Sequence, residues 1–242
     1  MDLTLWGIEV WTAALLFARV GAIVMLLPFV WMISTASKPP SEVFSSELHL
    51  IPRQFALWDN LQTAFAKANL WRFLLNGVIV TVSIFALQVL VALPAAYALA
   101  KSYLSFALRQ GLLVWILVTR IFPPVTTAIP YYVIVNNLRL GDTHLALILT
   151  YVSYGLPFVI WLMLGFFQDL PSDIEKAAIV DGCSLWQRFR QVILPLALPG
   201  LAVTSVFAFI YAWNELLYAS ILTSFNAKTI PVVVAGFISD QF

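Results

Sequence analysis

The stretch NGVIVTVSIFALQVLVALPAAYALA, from Asn76 to Ala100, runs for 25 residues without a charged side chain. A helix of about 20 apolar residues crosses the roughly 30 Å hydrocarbon layer of a bilayer. Backbone polar groups in lipid must be satisfied internally, and this run is too long and too uniformly apolar for a barrel strand. The stretch therefore predicts a transmembrane helix.

Four other windows have a comparable length and apolar character. They are Trp11 to Ile33, Gly111 to Val135, Leu145 to Phe167 and Pro199 to Leu222. Hydrophobic residues make up 62% of the chain and charged residues only 10%, which is too little polar surface for a water-soluble globule. The sequence predicts an all-α, polytopic bundle of transmembrane helices that forms a single domain surrounded by lipid.

The charge balance and the cysteine count argue against several functions. Thirteen Lys and Arg against twelve Asp and Glu leave no basic field to bind nucleic acid. Cys183 is the single cysteine, so an intrachain disulfide is excluded. With His49 and His144 it does not make a cluster suited to zinc. We expect no nucleic acid partner, no metal and no bound cofactor.

Two polar segments interrupt the apolar windows, at 34–75 and 168–191. In the first, a weakly amphipathic stretch from Leu57 to Phe73 predicts a short surface helix. Three predicted spans separate the two segments, so we expect them on opposite sides of the membrane. The Lys and Arg residues divide almost evenly between the two sides, and the positive-inside rule leaves the orientation open.

The second polar segment contains PSDIEKAAIVDGCSLWQRFRQVILP, from Pro171 to Pro195. Pro171 and the acidic residues after it predict a helix start. Gly182 then predicts a break after about two turns, before a second amphipathic turn from Leu185 to Gln191. These features by themselves also fit a simple amphipathic connector at the membrane interface.

The spacing of these residues resembles the EAA signature of the permease subunits of ABC importers. The matching positions are Lys176-Ala177-Ala178, Gly182 and Leu194-Pro195. Other segments resemble the maltose-type branch of this family, in the same order along the chain: Pro28 to Phe44, the Asn76 entry to the second span, Leu140 to Leu149, Leu156 to Phe167 and Trp213 to Thr223.

The resemblance implies a type I importer permease in a bacterial or archaeal cytoplasmic membrane, with a cytoplasmic N-terminus and a periplasmic 34–75 loop. The segment 168–191 becomes a cytoplasmic coupling loop docked on a separate ATPase. The implied coupling residues are Glu175, Lys176, Ala177, Ala178, Asp181, Gly182, Leu194 and Pro195. The implied partners are a second permease subunit in a heterodimer, two ATPase subunits and a periplasmic or lipid-anchored solute-binding protein.

Two departures from the family pattern stand out. Lys176 occupies the position of the signature's Glu, and we expect Glu175 to supply the acid from a neighbouring face. Five windows are visible of the six spans that the resemblance implies, so we expect the C-terminal span to be missing. The run from Ile230 to Ile238 is too short to replace it, and we expect it at the outer interface or in the periplasmic mouth.

Ionisable and aromatic residues inside the windows suggest a translocation path. Arg120 and Glu215 fall within predicted spans, where a charge should face a cavity or a partner. With Tyr211, Trp213 and Asn214 they would suit a sugar, a sugar alcohol or a related solute. A structural pairing of Arg120 or Glu215 with a neighbouring helix or subunit is the alternative.

The chain lacks a phosphate-binding Gly-x-x-x-x-Gly-Lys-Ser/Thr loop, so ATP and Mg would be used by the partner ATPase. We expect a non-catalytic subunit, because no nucleophile and base are united by spacing. The alternative class is an ion-coupled secondary transporter or channel, in which Arg120 and Glu215 would serve an ion path.

Overall fold

The computed structural model describes residues 3–45, 49–67, 69–101 and 104–239. Phe242, where we expected a missing span to follow, lies outside them. The chain divides into two compact units, Met1–Leu70 and Trp71–Phe242. Within the described ranges both units are helical and contain no strand, so the predicted all-α class is confirmed.

The first unit contains α1 (Leu3–Ala36), α2 (Pro40–Val43) and α3 (Leu57–Lys67). From Trp11 onward, large apolar side chains of α1 are exposed, as suits a helix in lipid. The Asn60 amide donates to Ala36 O at 2.9 Å and to Lys38 O at 2.8 Å, which ties the start of α3 to the end of α1. The predicted surface helix is therefore present, but it ends at Lys67.

The second unit begins with α4, whose first residue, Leu70, lies at the boundary. Its helices are α4 (Leu70–Ala100), α5 (Phe106–Ile121), α6 (Pro124–Asn137), α7 (His144–Asp169), α8 (Ser172–Val180), α9 (Leu185–Gln187), a π-helical segment (Arg188–Ile193), α10 (Leu194–Trp213), α11 (Leu217–Leu222) and α12 (Ile230–Ser239). The second span thus starts six residues earlier than the Asn76 that we predicted.

In the described residues, four helices are long and apolar enough to cross a membrane, or five if a bent pair counts as one span. The bent pair is α5 and α6, which meet at 98°. We predicted one continuous helix from Gly111 to Val135, and this was wrong. Pro123 forces the preceding Phe122 into an extended conformation, with φ −69° and ψ 122°, and the helix ends there.

The fifth window also differs from its prediction. We placed one span from Pro199 to Leu222, whereas α10 ends at Trp213 and α11 begins at Leu217. At its other end α10 continues the π-helical segment, so the apolar helix extends back to Leu185 and reaches 29 residues. Asn214 and Glu215 lie in this break, but apolar residues resume at Leu216, so the average composition of the window concealed it.

Helices α4 and α7 run in the same direction and share contacts at both ends. Near their starts, the His144 ring and the Asn76 side chain are hydrogen bonded at 2.8 Å. Near their ends, the rings of Tyr97 and Phe167 meet edge to face with centroids 5.7 Å apart. The 21 helical steps from Asn76 to Tyr97 rise about 32 Å at 1.5 Å each, close to the hydrocarbon thickness.

Candidate coupling surface and translocation cavity

The segment after α7 forms a helical elbow around Gly182. The Gly182 N–H donates to Ile179 O and the Cys183 N–H donates to Ala178 O, each at 3.0 Å. This pair of bonds is a Schellman motif, which places a left-handed residue just after the helix. Gly182 has φ +78°, a conformation that costs little only for glycine. The predicted break at Gly182 is confirmed.

The second arm of the elbow starts with a capping box. Ser184 accepts a hydrogen bond from the Gln187 N–H, and the Gln187 side chain accepts one from the Ser184 N–H. These bonds satisfy the first free donors of α9. The two arms are therefore fixed locally, by one turn at Gly182 and one cap at Ser184.

Large apolar side chains of the elbow are exposed. They are Ile179 (52%), Val180 (86%), Leu185 (50%) and Trp186 (63%). We call these four side chains, with the exposed Ala177, the coupling surface. An exposed apolar patch rimmed by polar residues is typical of a site that binds another protein.

The predicted coupling residues separate into two groups. Lys176, Ala177, Asp181, Gly182 and Pro195 are exposed. Leu194 is half-buried, and Ala178 is buried at 6% exposure, so Ala178 belongs to the packing of the elbow. Glu175 is also buried, at 8% exposure.

Glu175 points into the protein, which corrects our expectation that it offers an acid to the ATPase from a neighbouring face. Its carboxylate accepts a hydrogen bond from Tyr97 Oη at 2.6 Å. Arg188 Nη1 lies 3.3 Å from it and Lys101 Nζ 3.9 Å. These internal partners compensate the buried charge, which would otherwise be costly.

The neighbouring Lys176 is exposed and pairs with Asp173 along α8. Lys176 Nζ lies 2.8 Å from Asp173 Oδ1. The hydrogen bond and the charge of Lys176 lower the pKa of the Asp173 carboxyl below its ordinary value. Both side chains are accessible to another protein.

A cavity of about 230 Å³ lies between α4, α7 and α10, next to the break after α5. It is lined by Gln88, Arg120, Gly155, Phe158, Val159, Phe207, Ala208, Ile210 and Tyr211. A Cβ on Gly155 would lie 2.3 Å from Gln88 Nε2, so a larger residue here would displace the Gln88 amide. Gln88 donates to Tyr151 O at 3.3 Å.

Arg120 lies over two aromatic rings beside this cavity, in the last turn of α5. Its guanidinium is 5.4 Å from the Tyr154 centroid and 5.2 Å from the Phe158 centroid. Tyr154 in turn stacks on Tyr211 at 5.8 Å with an interplanar angle of 17°. The arrangement combines aromatic faces with one cation and one amide.

The other predicted path residues do not line this cavity. Trp213 stacks on Phe209 at 5.5 Å. Asn214 donates to Ile210 O at 2.8 Å. Glu215 accepts from the N–H groups of Tyr218 at 2.9 Å and Ala219 at 3.1 Å, so it caps the start of α11.

A second polar site, around Asp142, was not predicted from the sequence. The Asp142 carboxylate accepts from the consecutive backbone N–H groups of Ser224, Phe225, Asn226 and Ala227. We call this arrangement the turn clamp. Burial opposes ionisation of Asp142, yet the four N–H groups outweigh it and lower its pKa from 3.8 to about 2.

The turn clamp is continued by Asn76, whose amide donates to Asn226 O at 2.8 Å and to Lys228 O at 2.9 Å. Both Asn76 and the segment containing Asp142 were noted for their family resemblance alone. The available signal was the Gly141-Asp142-Thr143 turn before α7, where Asp142 has φ +58°.

Comparison with known proteins identifies the family and the fold of the chain. The family model for "binding-protein-dependent transport system inner membrane component" matches residues 88–241, more than half of the 242-residue chain. A crystal structure of a bacterial ABC transporter involved in the import of the acidic polysaccharide alginate has a similar fold. The TM-score is 0.75 at 24% identity, over 93% of this chain and 77% of that one.

Several relatives are permeases by name. A probable ABC transporter permease protein of Sinorhizobium fredii is 39% identical over 94% of this chain and 79% of its own length. The trehalose transport system permease protein SugB of Mycobacterium tuberculosis is 37% identical over 90% and 78%. The diacetylchitobiose uptake system permease protein DasC of Streptomyces coelicolor is 34% identical over 98% and 84%.

These matches favour the importer over an ion-coupled secondary transporter. Permease subunits of this kind are multi-pass inner-membrane components that work with a partner permease, an ATPase and a solute-binding protein, and they are not enzymes themselves. The chain belongs to the binding-protein-dependent inner membrane component family, the permease subunits of ABC importers.

Proposed function

We propose that this permease subunit forms half of the translocation path for a sugar, a sugar alcohol or a related solute, and couples transport to ATP hydrolysis through the coupling surface. The observation that carries the coupling role is the elbow at Gly182, which exposes Val180, Leu185 and Trp186. An apolar surface on two short, locally fixed arms suits a groove of a soluble partner.

The assembly that follows from this role contains a second permease, with which the chain makes a heterodimer, and two ATPase subunits. ATP and Mg are used by the ATPase, and the chain itself binds no cofactor. A periplasmic or lipid-anchored protein delivers the solute. The N-terminus and the elbow face the cytoplasm, and the 34–75 loop faces the periplasm.

The cavity beside Arg120 supports the solute class. Small-molecule sites are mostly apolar and aromatic, with a few convergent polar groups that fix orientation. Tyr154, Phe158 and Tyr211 provide the aromatic faces, and Gln88 and Arg120 provide the polar groups. The names of the relatives for trehalose and diacetylchitobiose agree with a saccharide.

The coupling role is tested by replacing Gly182 in the reconstituted complex. Nothing lies within 4 Å of a Cβ at this position, so Gly182→Val acts through the backbone, where φ +78° strains a β-branched residue. We expect solute uptake per ATP hydrolysed to fall about tenfold. Gly182→Asn is the matched control, since asparagine tolerates the left-handed region, and it should retain most coupling. Normal coupling in the Val variant would refute the docking assignment.

The cavity is tested by a pair of ring removals on α10. Tyr211→Leu removes a ring that lines the cavity, whereas Phe209→Leu removes a ring that stacks on Trp213 outside it. We expect the apparent KM for uptake to rise about tenfold in the first variant and little in the second. Equal effects of the two substitutions would place the solute elsewhere.

A further inference from the structure

Glu175 connects elements that are distant in sequence. Tyr97, its hydrogen-bond donor, lies near the end of α4, 78 residues before it. Arg188 opens the π-helical segment, and Lys101 follows the last residue of α4. The side chains of Lys101, Glu175 and Arg188 are 12%, 10% and 14% exposed. We call Tyr97, Lys101, Glu175 and Arg188 the elbow cluster.

Tyr97 gives this cluster its mechanical connections. Its ring contacts Phe167 of α7 at 5.7 Å and Phe189 of the π-helical segment at 5.3 Å. Phe189 in turn contacts Trp186 at 5.7 Å, and Trp186 is part of the coupling surface. A continuous chain of contacts therefore runs from the coupling surface through Phe189 and Tyr97 to the end of α4.

The backbone of the elbow is irregular at its joints, so side-chain contacts are needed to transmit a displacement to α4. The left-handed turn at Gly182 and the π-helical segment both depart from regular α-helix, and π-helical turns are often found at functional sites. The short α8 itself lies between two breaks, the extended Leu170 after α7 and the turn at Gly182, which would let it rotate without moving the long helices. A buried, hydrogen-bonded ion pair resists that rotation, because breaking it leaves an uncompensated charge.

We propose that Glu175 is a positioning residue that locks the coupling elbow to the end of α4 through Tyr97 and Arg188, so that displacement of the coupling surface moves α4. This inference rests on the proposed coupling function of the elbow. It assigns Glu175 an internal role, since a carboxylate that is buried and engaged by three side chains is not offered to the ATPase.

The test measures solute transported per ATP hydrolysed in proteoliposomes that contain the complete complex. Glu175→Gln keeps the shape of the side chain and removes its charge, and we expect the ratio to fall about tenfold. Tyr97→Phe removes only the hydroxyl that donates at 2.6 Å, and we expect a fall of about fivefold. Tyr97→Phe keeps the ring that contacts Phe167 and Phe189. It therefore still tests the proposal if Glu175→Gln does not assemble.

The matched controls make the same chemical changes at exposed positions. Asp59→Asn neutralises an exposed acid in the first turn of α3, outside the 168–191 loop, and Tyr132→Phe removes a hydroxyl from a residue that is 46% exposed on α6. Neither should change the ratio. If Tyr97→Phe keeps the wild-type ratio, or if the controls lower it equally, the proposal is wrong.

A photo-crosslinker at Val180 separates this proposal from the coupling function on which it rests. Val180 is 86% exposed on the coupling surface. Crosslinking to the ATPase in both wild type and Tyr97→Phe, with a lower transport ratio only in the variant, supports the positioning role. No crosslink in the wild type contradicts the docking surface itself, whereas a crosslink with an unchanged ratio contradicts only the role of the elbow cluster.

Discussion

The elbow cluster and the turn clamp stabilise opposite ends of the α4–α7 pair by different means. The elbow cluster joins side chains to side chains: one carboxylate, one phenol and two cations, all largely buried. The turn clamp joins one carboxylate to four backbone N–H groups of a loop. Each site has one acid at its centre, but only in the turn clamp does the main chain supply the hydrogen-bond donors.

The difference determines which substitutions each end tolerates. In the elbow cluster every partner is a particular side chain, so most changes there leave a buried group without compensation. In the turn clamp the four backbone donors are present whatever side chains occupy 224–227, provided none is proline, and the Asn226 amide adds a side-chain donor at 3.1 Å. Asp142 is thus the one acceptor of the clamp, supported by the amides of Asn76 and Asn226, whereas the elbow depends on several buried side chains together.

Removing the elbow acid should give the largest loss of stability. Glu175→Ala leaves Arg188 and Lys101 together in a nearly closed site, and we expect the free energy of unfolding to fall by about 3 kcal/mol. Thermal unfolding of the purified complex in detergent measures this. Asp169→Ala, which removes an exposed acid, is the control, and similar losses in both variants would show that burial of Glu175 contributes nothing.

Removing the clamp acid should have a smaller and more local effect. Asp142→Gly keeps the left-handed backbone at φ +58° but leaves four N–H groups without their acceptor, for a loss of about 2 kcal/mol. Asp142→Asn retains both the backbone preference and one acceptor oxygen, and should lose less. Amide hydrogen exchange at 224–227 reports the change directly. Slow exchange at these amides in the Gly variant would contradict the clamp.

The turn clamp should also be sensitive to acid. Asp142 has a folded-state pKa of about 2 against an ordinary 3.8, so its ionised form binds the loop. The stabilisation is present above pH 4 and is lost as the pH falls from about 4 towards 2. The difference in unfolding temperature between wild type and Asp142→Asn should be constant from pH 7 to 5 and shrink below about pH 4. A constant difference at pH 3 would exclude this linkage.

Much of the fold could be predicted because hydrocarbon imposes long apolar helices, and those runs are visible in the sequence. The same criterion failed at Phe122 and at 214–216, because apolar residues lie on both sides of each break and dominate the average over the window. The two prolines at 123 and 124 carried the missing information for the first break. Glu215 carried it for the second, as a cap for α11.

The elbow could be predicted because its signals are local: Pro171 and Gly182 act on the backbone within a few residues. The inward direction of Glu175 could not, because it depends on Tyr97, 78 residues away. Asp142 shows the same limit, since its donors lie 82 to 85 residues further along the chain. A polar contact between residues so far apart produces no recognisable pattern in the sequence around either partner.

The smallest effect is expected at Lys176, the residue next to Glu175. The two residues carry opposite charges on consecutive positions of α8, but Lys176 pairs with Asp173 in solvent, with side-chain exposures of 69% and 88%. Water and salt screen such a pair, so its attraction is small. Lys176→Gln should therefore leave the unfolding temperature of the complex unchanged at physiological salt, although it alters a charge that the proposed ATPase contact can reach. Thermal unfolding of this variant beside Glu175→Ala, at low and high salt, completes the comparison. A drop for Lys176→Gln as large as that for Glu175→Ala would mean that burial does not distinguish the two charges of the elbow.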